Sequence, residues 1–548
     1  MSATLVERPT ATEVAASGAG FPRRLLADVV CLTALLLGVV FITDGWFSAD
    51  EVVMRQQSKV LAQTSQWAVP PDTAALAVDP DLHFALLARS DRIGTEIAPY
   101  TKHPLVPIMV ATGERIAGSR GRYLPGVAAL LGASLLLAHR FDWSRAAFWL
   151  LAVGTTAFFH VSVLWAHAPA LFFASLAIVL LHPAGRSPTA REIVLASVSV
   201  SIVALMRSEG LLLGAALSLS VGIDALRRSS RARMLAVGPL AASVLVYITE
   251  PILRSSVFGS GSTRLTPPAS GSSGLTSRVD VARIMFIEPS VSGGLGSVRL
   301  LGALVLVAVS FGLRTGKVSK RPGRALLILS VGFYLLGALS SPIPGLVVAM
   351  PLLVACVPWI IQPAAEERRA LTAAAAFALA VVASSYDNAG GGDWGARYLF
   401  IGVPLLAIAI VPAAKHMSAN PDGKWVLVSA AVCALSVQVG VLDGVIGRST
   451  TVETVDQVAA TIEAHTSTDP QLVAAVSDER LSRFLYDRGV RGRVFHVPPG
   501  LEEQFLVLEA VRSSDRVLWV DLPDQAETRP GDVIETHGSV SIRTEVRR

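Results

Sequence analysis

The chain has 548 residues, 52% of them apolar and 16% charged, with mean hydropathy +0.54. Soluble domains carry roughly 25% charged residues, so this chain has too little polar surface for an all-soluble protein and too much apolar content for a disordered one. The net charge of +5 is gathered in a few loops, which argues against nucleic acid as a partner. The three cysteines, Cys31, Cys356 and Cys433, each lie in an apolar run, which excludes a disulfide framework and gives no zinc spacing.

A bilayer core takes about 20 mostly apolar residues per helix. Residues 1–20 read as a disordered start. The first apolar run, Leu25–Thr43, is long, and no small-residue cleavage site follows Trp46, so it reads as a retained anchor. Further runs are Tyr123–His139, Ala146–Val163, Trp165–Leu181, Ile193–Met206, Leu211–Leu226, Met234–Thr249, Val298–Leu313 and Ala325–Ser340. Leu346–Ile361, Ala370–Ser385, Leu399–Ala413 and Trp425–Leu442 complete the set, about 13 spans in all. The segment Pro104–Gly118 is shorter and carries Glu114 and Arg115, which predicts an interfacial helix.

Charge sets the topology. With the N-terminus and Arg23 and Arg24 inside, the inner loops hold Arg140, Arg145, Arg186, Arg191, Arg227, Arg228, Arg231 and Arg233. Further along they hold Arg314, Lys317, Lys320, Arg321, Arg324, Arg368, Arg369, Lys415 and Lys424. The short outer loops hold only Arg207 and Arg397. Lys and Arg are retained on the cytoplasmic side, so the chain is predicted N-in and C-out in the plasma membrane.

Three larger pieces are then extracytoplasmic: a first loop over residues 45–122, a second over 251–297, and a tail over 443–548. The second loop contains the Gly/Ser-rich stretch Gly259–Gly274, a flexible connector or a lid. The tail predicts strands at Leu472–Ser477, Arg493–Val497, Val517–Asp521 and Val540–Val546. Helices are predicted at Val452–His465, Glu479–Arg488 and Leu501–Ser513, which makes a small α/β domain. The expected fold is an all-α polytopic membrane protein, residues 21–442, with that α/β domain at its C-terminus.

Ionisable groups at membrane depth or at span ends are costly and are functional candidates. Asp50 and Glu51 follow the first span; a carboxylate there can serve as a general base, or as the loop start or N-cap of the next helix. Lys102 and His103 can meet a phosphate or anchor at headgroup level. His160 and His167 flank the second outer loop, as substrate contacts or as interfacial polar tips. Arg207 and Glu209 share a tight outer turn, either as a binding pair or as an ion pair closing two helices. Asp387, Asp393 and Arg397 lie in a Gly-rich outer loop, where backbone can approach a ligand and an arginine can clamp a phosphate. A carboxylate pair and several cations on one face suit transfer from a phosphate-linked donor to an alcohol: the hydroxyl must lose a proton, and the leaving phosphate gathers charge.

At these residues the chain resembles the GT-C superfamily of integral-membrane glycosyltransferases, which includes protein O-mannosyltransferases, the aminoarabinose transferase of lipid A and mycobacterial arabinosyl- and mannosyltransferases. The resemblance rests on the acidic pair Asp50–Glu51 after the first span and the Lys-His-Pro-Leu element Lys102–Leu105 before an interfacial helix and a Gly-x-x-Gly segment. It rests also on the Arg-x-Glu-Gly turn Arg207–Gly210 and the Gly-Ala-Arg-Tyr element Gly395–Tyr398. It covers residues 25–442. It implies an inverting single displacement from a polyprenyl-phosphate-linked sugar to a glycan, lipid or protein hydroxyl. Asp50 would be the base with Glu51 assisting, and Arg397 would bind the donor phosphate with Lys102, His103 or Arg207. No acidic residue occupies the second outer loop, where metal-using members carry an acidic motif, so no cofactor is assigned and a divalent cation stays open. The competing classes are an envelope polysaccharide polymerase or ligase, a transporter or flippase, which would show internal repeats and broken spans, and a non-catalytic membrane scaffold.

Overall fold

The computed structural model describes residues 23–43, 45–46, 48–68, 70, 72–81, 83–84, 86, 91–93, 96–100, 104–225, 235–258, 275–288, 295–338, 345–385, 397–469, 471–490, 492–498, 500–508, 511, 516–521, 532–537 and 540–546. The protein is a helical bundle topped by a small α/β unit. Among the described residues, five helices are individually long and apolar enough to cross a membrane: Arg23–Ile42, Gly238–Val257, Ser297–Thr315, Arg397–Ala419 and the unit Pro421–Thr468. The described residues of the apolar runs are mostly helical, and three runs are not single α-helices. Leu399–Ala413 begins in the 3-10 turn Arg397–Gly402 and continues in the helix Val403–Ala419. Ala146–Val163 is split into Arg145–Val153 and Ala157–Val161, because the chain turns at Gly154. Leu346–Ile361 is split into Leu346–Ala349, Pro351–Cys356 and a 3-10 turn, since Pro351 lacks the N–H that a continuous helix needs at that point.

The bundle has two polar ends. At one, Asp28 of helix α1 (Arg23–Ile42) accepts hydrogen bonds from Arg145 at 2.7 Å and from Trp149 at 3.1 Å. At the same end Arg140 reaches the His182 carbonyl at 2.7 Å, and Asp422 faces Lys320 and Arg324 at 3.7 and 3.9 Å. These are the loops that carry the Lys and Arg excess.

At the other end, helix α2 (Ala49–Thr64) begins on Ser48, whose hydroxyl accepts the Glu51 N–H at 3.3 Å. The helix exists because a polar cap and an acidic first turn complement its N-terminal N–H groups. It packs on the predicted interfacial helix, observed as α4 (Leu105–Gly121), which turns by 104° into the helix Leu124–Arg140. Glu114 and Arg115, the two charges in that segment, serve this packing. Arg115 donates to the Leu61 and Ala62 carbonyls at the C-terminus of α2, at 2.6 and 3.1 Å. Glu114 takes a bidentate pair from Arg122 at 2.6 and 2.8 Å. The turn also needs glycine: a Cβ on Gly113 would stand 2.2 Å from the Gly121 carbonyl oxygen, and Gly118 has φ +64°.

Beyond the last long helix, α19 (Pro421–Ile446), the chain continues into α20 (Arg448–Thr468) with the Gly447 N–H still bonded to the Asp443 carbonyl at 2.8 Å. Among the described residues β1 (Asp91–Ile93) and β2 (Glu96–Ala98) form a two-stranded sheet, and β3 (Val473–Val476), β4 (Val494–His496), β5 (Arg516–Asp521), β6 (Asp532–His537) and β7 (Val540–Val546) form a second in the order β4-β3-β5-β7-β6. Strands β3 (Val473–Val476), β4 (Val494–His496), β5 (Arg516–Asp521) and β7 (Val540–Val546) match the predicted ones to within about two residues. Strand β6 (Asp532–His537) was not predicted, and the predicted helix Leu501–Ser513 is shorter, Glu502–Leu506. β3 is parallel to β4 and β5, while β7 is antiparallel to β5 and β6. Alternation along β3 sends Ala474 and Val476 into one core and Val473 and Ala475 into another. The segment after the first helix supplies both cores: Trp46, Val52 and Leu86 join the former, Val78 and Phe84 the latter.

Candidate functional site

One cleft at the end of the bundle where α2 begins draws on five separate parts of the chain. It is lined by Asp50, Met54, Tyr100, Leu164, Trp165, Ala166, His167, Arg207 and Arg397, and encloses about 430 Å³ of space open to solvent. Each wall has a local cause. Asp50 sits in the first turn of α2, its side chain 45% exposed. Tyr100 is set by Gln57 of the same helix, whose side chain accepts the Tyr100 N–H at 3.1 Å and donates to the Trp67 carbonyl at 2.9 Å. Trp165 is anchored by its indole N–H on Ser48 Oγ at 3.1 Å.

The two cations come from helix ends. Arg207 ends the helix Ala190–Met206 and pairs with Glu209, its Nε 3.1 Å from Glu209 Oε2. The ion pair of the tight turn therefore exists, and it also faces the cleft. Arg397 opens the 3-10 turn Arg397–Gly402, donates to the Tyr398 hydroxyl at 3.1 Å, and lies over the Trp165 and Tyr398 rings at 5.3 and 4.9 Å. Arg207 lies over the same Tyr398 ring at 5.7 Å. Both guanidiniums line the cleft while resting on the Tyr398 ring, Arg207 held by Glu209 and Arg397 by the Tyr398 hydroxyl.

His167 lines the cleft and His160 lies behind it. Their rings stack at 4.7 Å with 16° between planes, and His160 lies 4.2 Å from the Phe400 ring. Both are buried, and none of their ring nitrogens has a hydrogen-bond partner among the described residues. Such groups cost about 1–3 kcal/mol each unless a ligand or water engages them.

Glu51 departs from the expected pairing with Asp50. It is buried and accepts the Leu164 N–H at 3.4 Å, so it ties α2 to the second outer loop and does not line the cleft. The helical phase separates neighbours by about 100°, which sends one carboxylate outward and the next inward. Lys102, His103, Asp387 and Asp393 lie outside the described residues. Among the described residues no three His, Cys, Asp or Glu side chains gather to hold a metal ion. The sequence reading missed Met54, Tyr100 and Trp165 as cleft walls. Trp165 carried a signal, since an aromatic between two histidines in a short outer loop is poised to stack under a cation.

No family model and no curated protein matches the chain. Among solved structures, the chain is similar to ArnT from Cupriavidus metallidurans bound to undecaprenyl phosphate, at 15% identity and TM-score 0.45, over 94% of this chain and 98% of that one. The apo form of the same protein gives 16% identity and TM-score 0.47 over 95% and 98%. The oligosaccharyltransferase of Archaeoglobus fulgidus, tethered to an acceptor peptide containing the NVT sequon, gives 14% and 0.45 over 92% and 69%. Likeness this distant assigns no residue a role.

Proposed function

We propose that this protein is a GT-C-type glycosyltransferase that moves a sugar from a polyprenyl-phosphate donor to a hydroxyl acceptor on the extracytoplasmic face of the plasma membrane. One observation carries the reading: a carboxylate, Asp50, shares a cleft with two aromatic-stacked guanidiniums, Arg207 and Arg397, that are separated from it by more than 150 residues of chain.

The step uses the chain's own groups. Asp50 takes the proton of the acceptor hydroxyl. The acceptor oxygen attacks the anomeric carbon as the bond from that carbon to the phosphate oxygen breaks. The bonding pair leaves with the polyprenyl phosphate, and the anomeric configuration inverts. Arg397 and Arg207 stabilise the charge growing on the phosphate; cations fixed before the reaction need no reorganisation during it. His167, with His160 behind it, donates ring N–H bonds to the phosphate or to sugar hydroxyls. The apolar floor of Leu164, Ala166 and Met54 accommodates the first isoprene units, which reach the cleft from the bilayer.

The test is Asp50→Asn in membranes supplied with radiolabelled polyprenyl-phosphate sugars. General-base removal lowers transfer by about 10²–10⁴-fold while the protein still inserts and folds. Full activity in the variant removes Asp50 from the mechanism.

A further inference from the structure

Helix α21 (Glu479–Asp487) of the α/β unit carries a charged stripe, Glu479, Arg483 and Asp487, spaced four apart on one face. That stripe lies along α2. Its far end is a lock: Asp487 accepts the Trp46 indole N–H at 2.8 Å, bonds to Gln56, and faces Arg55 at 3.6 Å. Phe484 stacks on Trp46 at 4.9 Å. With that end fixed, Arg483, one turn back, is brought to Asp50: its Nη1 stands 3.9 Å from Asp50 Oδ1. Its other nitrogen is taken by Glu479. Arg483 is only 7% exposed, so its stem is packed and its fork has little freedom.

We infer that Arg483 is a positioning residue of the transfer site, contributed by the C-terminal unit to orient Asp50 in the cleft. The inference rests on Asp50 acting as the base proposed above. Three points on geometry support it. Asp50 is half-exposed in the first turn of α2, on the side that meets Arg483. The guanidinium sits at ion-pair distance and not at hydrogen-bond distance, so it biases the carboxylate's direction without closing a bidentate bond on it. Glu479 shares the guanidinium, which prevents Arg483 from closing fully onto Asp50. The α/β unit is therefore part of the site, although its own strands supply none of the cleft walls.

The experiment uses the full chain in nanodiscs, comparing wild type with Arg483→Gln and Arg483→Lys. Transfer from a radiolabelled polyprenyl-phosphate sugar is measured beside carbodiimide labelling of Asp50, read by mass spectrometry. Arg483→Gln is expected to lower kcat about 10- to 100-fold, the scale of a small misplacement of a reacting group, with donor KM within about twofold and Asp50 labelling changed several-fold. Arg483→Lys, which keeps the charge, is expected to recover most of kcat. A purely structural role would lower the folded fraction and leave kcat per folded molecule unchanged, and that result overturns the inference. Equal Asp50 labelling in wild type and Arg483→Gln also overturns it, whatever the transfer activity. Loss of the parent reading looks different: wild type and Asp50→Asn would transfer equally, with labelling still responsive to Arg483.

Discussion

Asp487→Ala tests the lock between the α/β unit and α2. The Asp487 side chain is 8% exposed and is the acceptor for Trp46 Nε1 at 2.8 Å and for Gln56. Alanine leaves both donors without their acceptor in a buried seam. Hydrogen bonds to a charged group contribute about 1.5–3 kcal/mol each and do not add fully, so the expected loss is about 3 kcal/mol. For a unit of this size that corresponds to a fall on the order of 10 °C in melting temperature. Trp46 reports the change directly through its fluorescence during thermal unfolding in detergent. Asp456→Ala is the control: it breaks a surface pair with Arg488 of comparable geometry, 2.7 Å, in which Asp456 is 52% exposed. Exposed pairs contribute up to about 1 kcal/mol. If Asp487→Ala melts no lower than Asp456→Ala, the seam does not hold the unit and the reasoning from burial fails.

Arg397→Ala should raise the donor KM at least tenfold while leaving melting within a few degrees; an unchanged KM would exclude Arg397 from phosphate binding. Gly113→Ala should destabilise the α4 turn by about 1–3 kcal/mol, because the new Cβ meets the Gly121 carbonyl, and a wild-type melting curve would refute the close approach. His496, on β4, is held below the usual histidine range mainly by burial, against the opposing pull of Glu479. Folded His496 therefore refuses a proton that the unfolded chain accepts below pH about 6.5. Stability of the α/β unit falls as pH drops through that value, by up to about 1.4 kcal/mol per unit, and His496→Gln flattens the profile between pH 5 and 7. An equal slope in the variant would assign the effect to other groups.

The sequence was legible where burial is one-dimensional. An apolar run long enough for a bilayer becomes helix whatever it packs against, and the described residues of these runs are mostly helical. Alternating strands in the tail were legible for the same reason: β3, β4 and β5 are apolar on both faces. What escaped was set by partners distant in the chain. β6, with the polar sequence DVIETH, is a strand because β7 supplies its hydrogen bonds, not because its residues demand one. The breaks inside two apolar runs follow a glycine and a proline that hydropathy does not register. In the site, Asp50, His167, Arg207 and Arg397 were found because charge at a span end is costly and stands out. Glu51 was read as a partner of Asp50, but helical phase turned it inward. Arg483 carries no local signal at all: an arginine in a polar amphipathic helix looks like surface until the fold brings it to Asp50.

The unbroken passage from α19 into α20 has a mechanical consequence. With the Gly447 N–H still bonded to the Asp443 carbonyl where the two helices meet, a tilt imposed on the last long helix by a thicker or thinner bilayer would be passed to the crown above it. The crown bears on α2, so a change in lipid thickness would reach Asp50, and transfer should be measured in bilayers of defined acyl length and not in detergent alone.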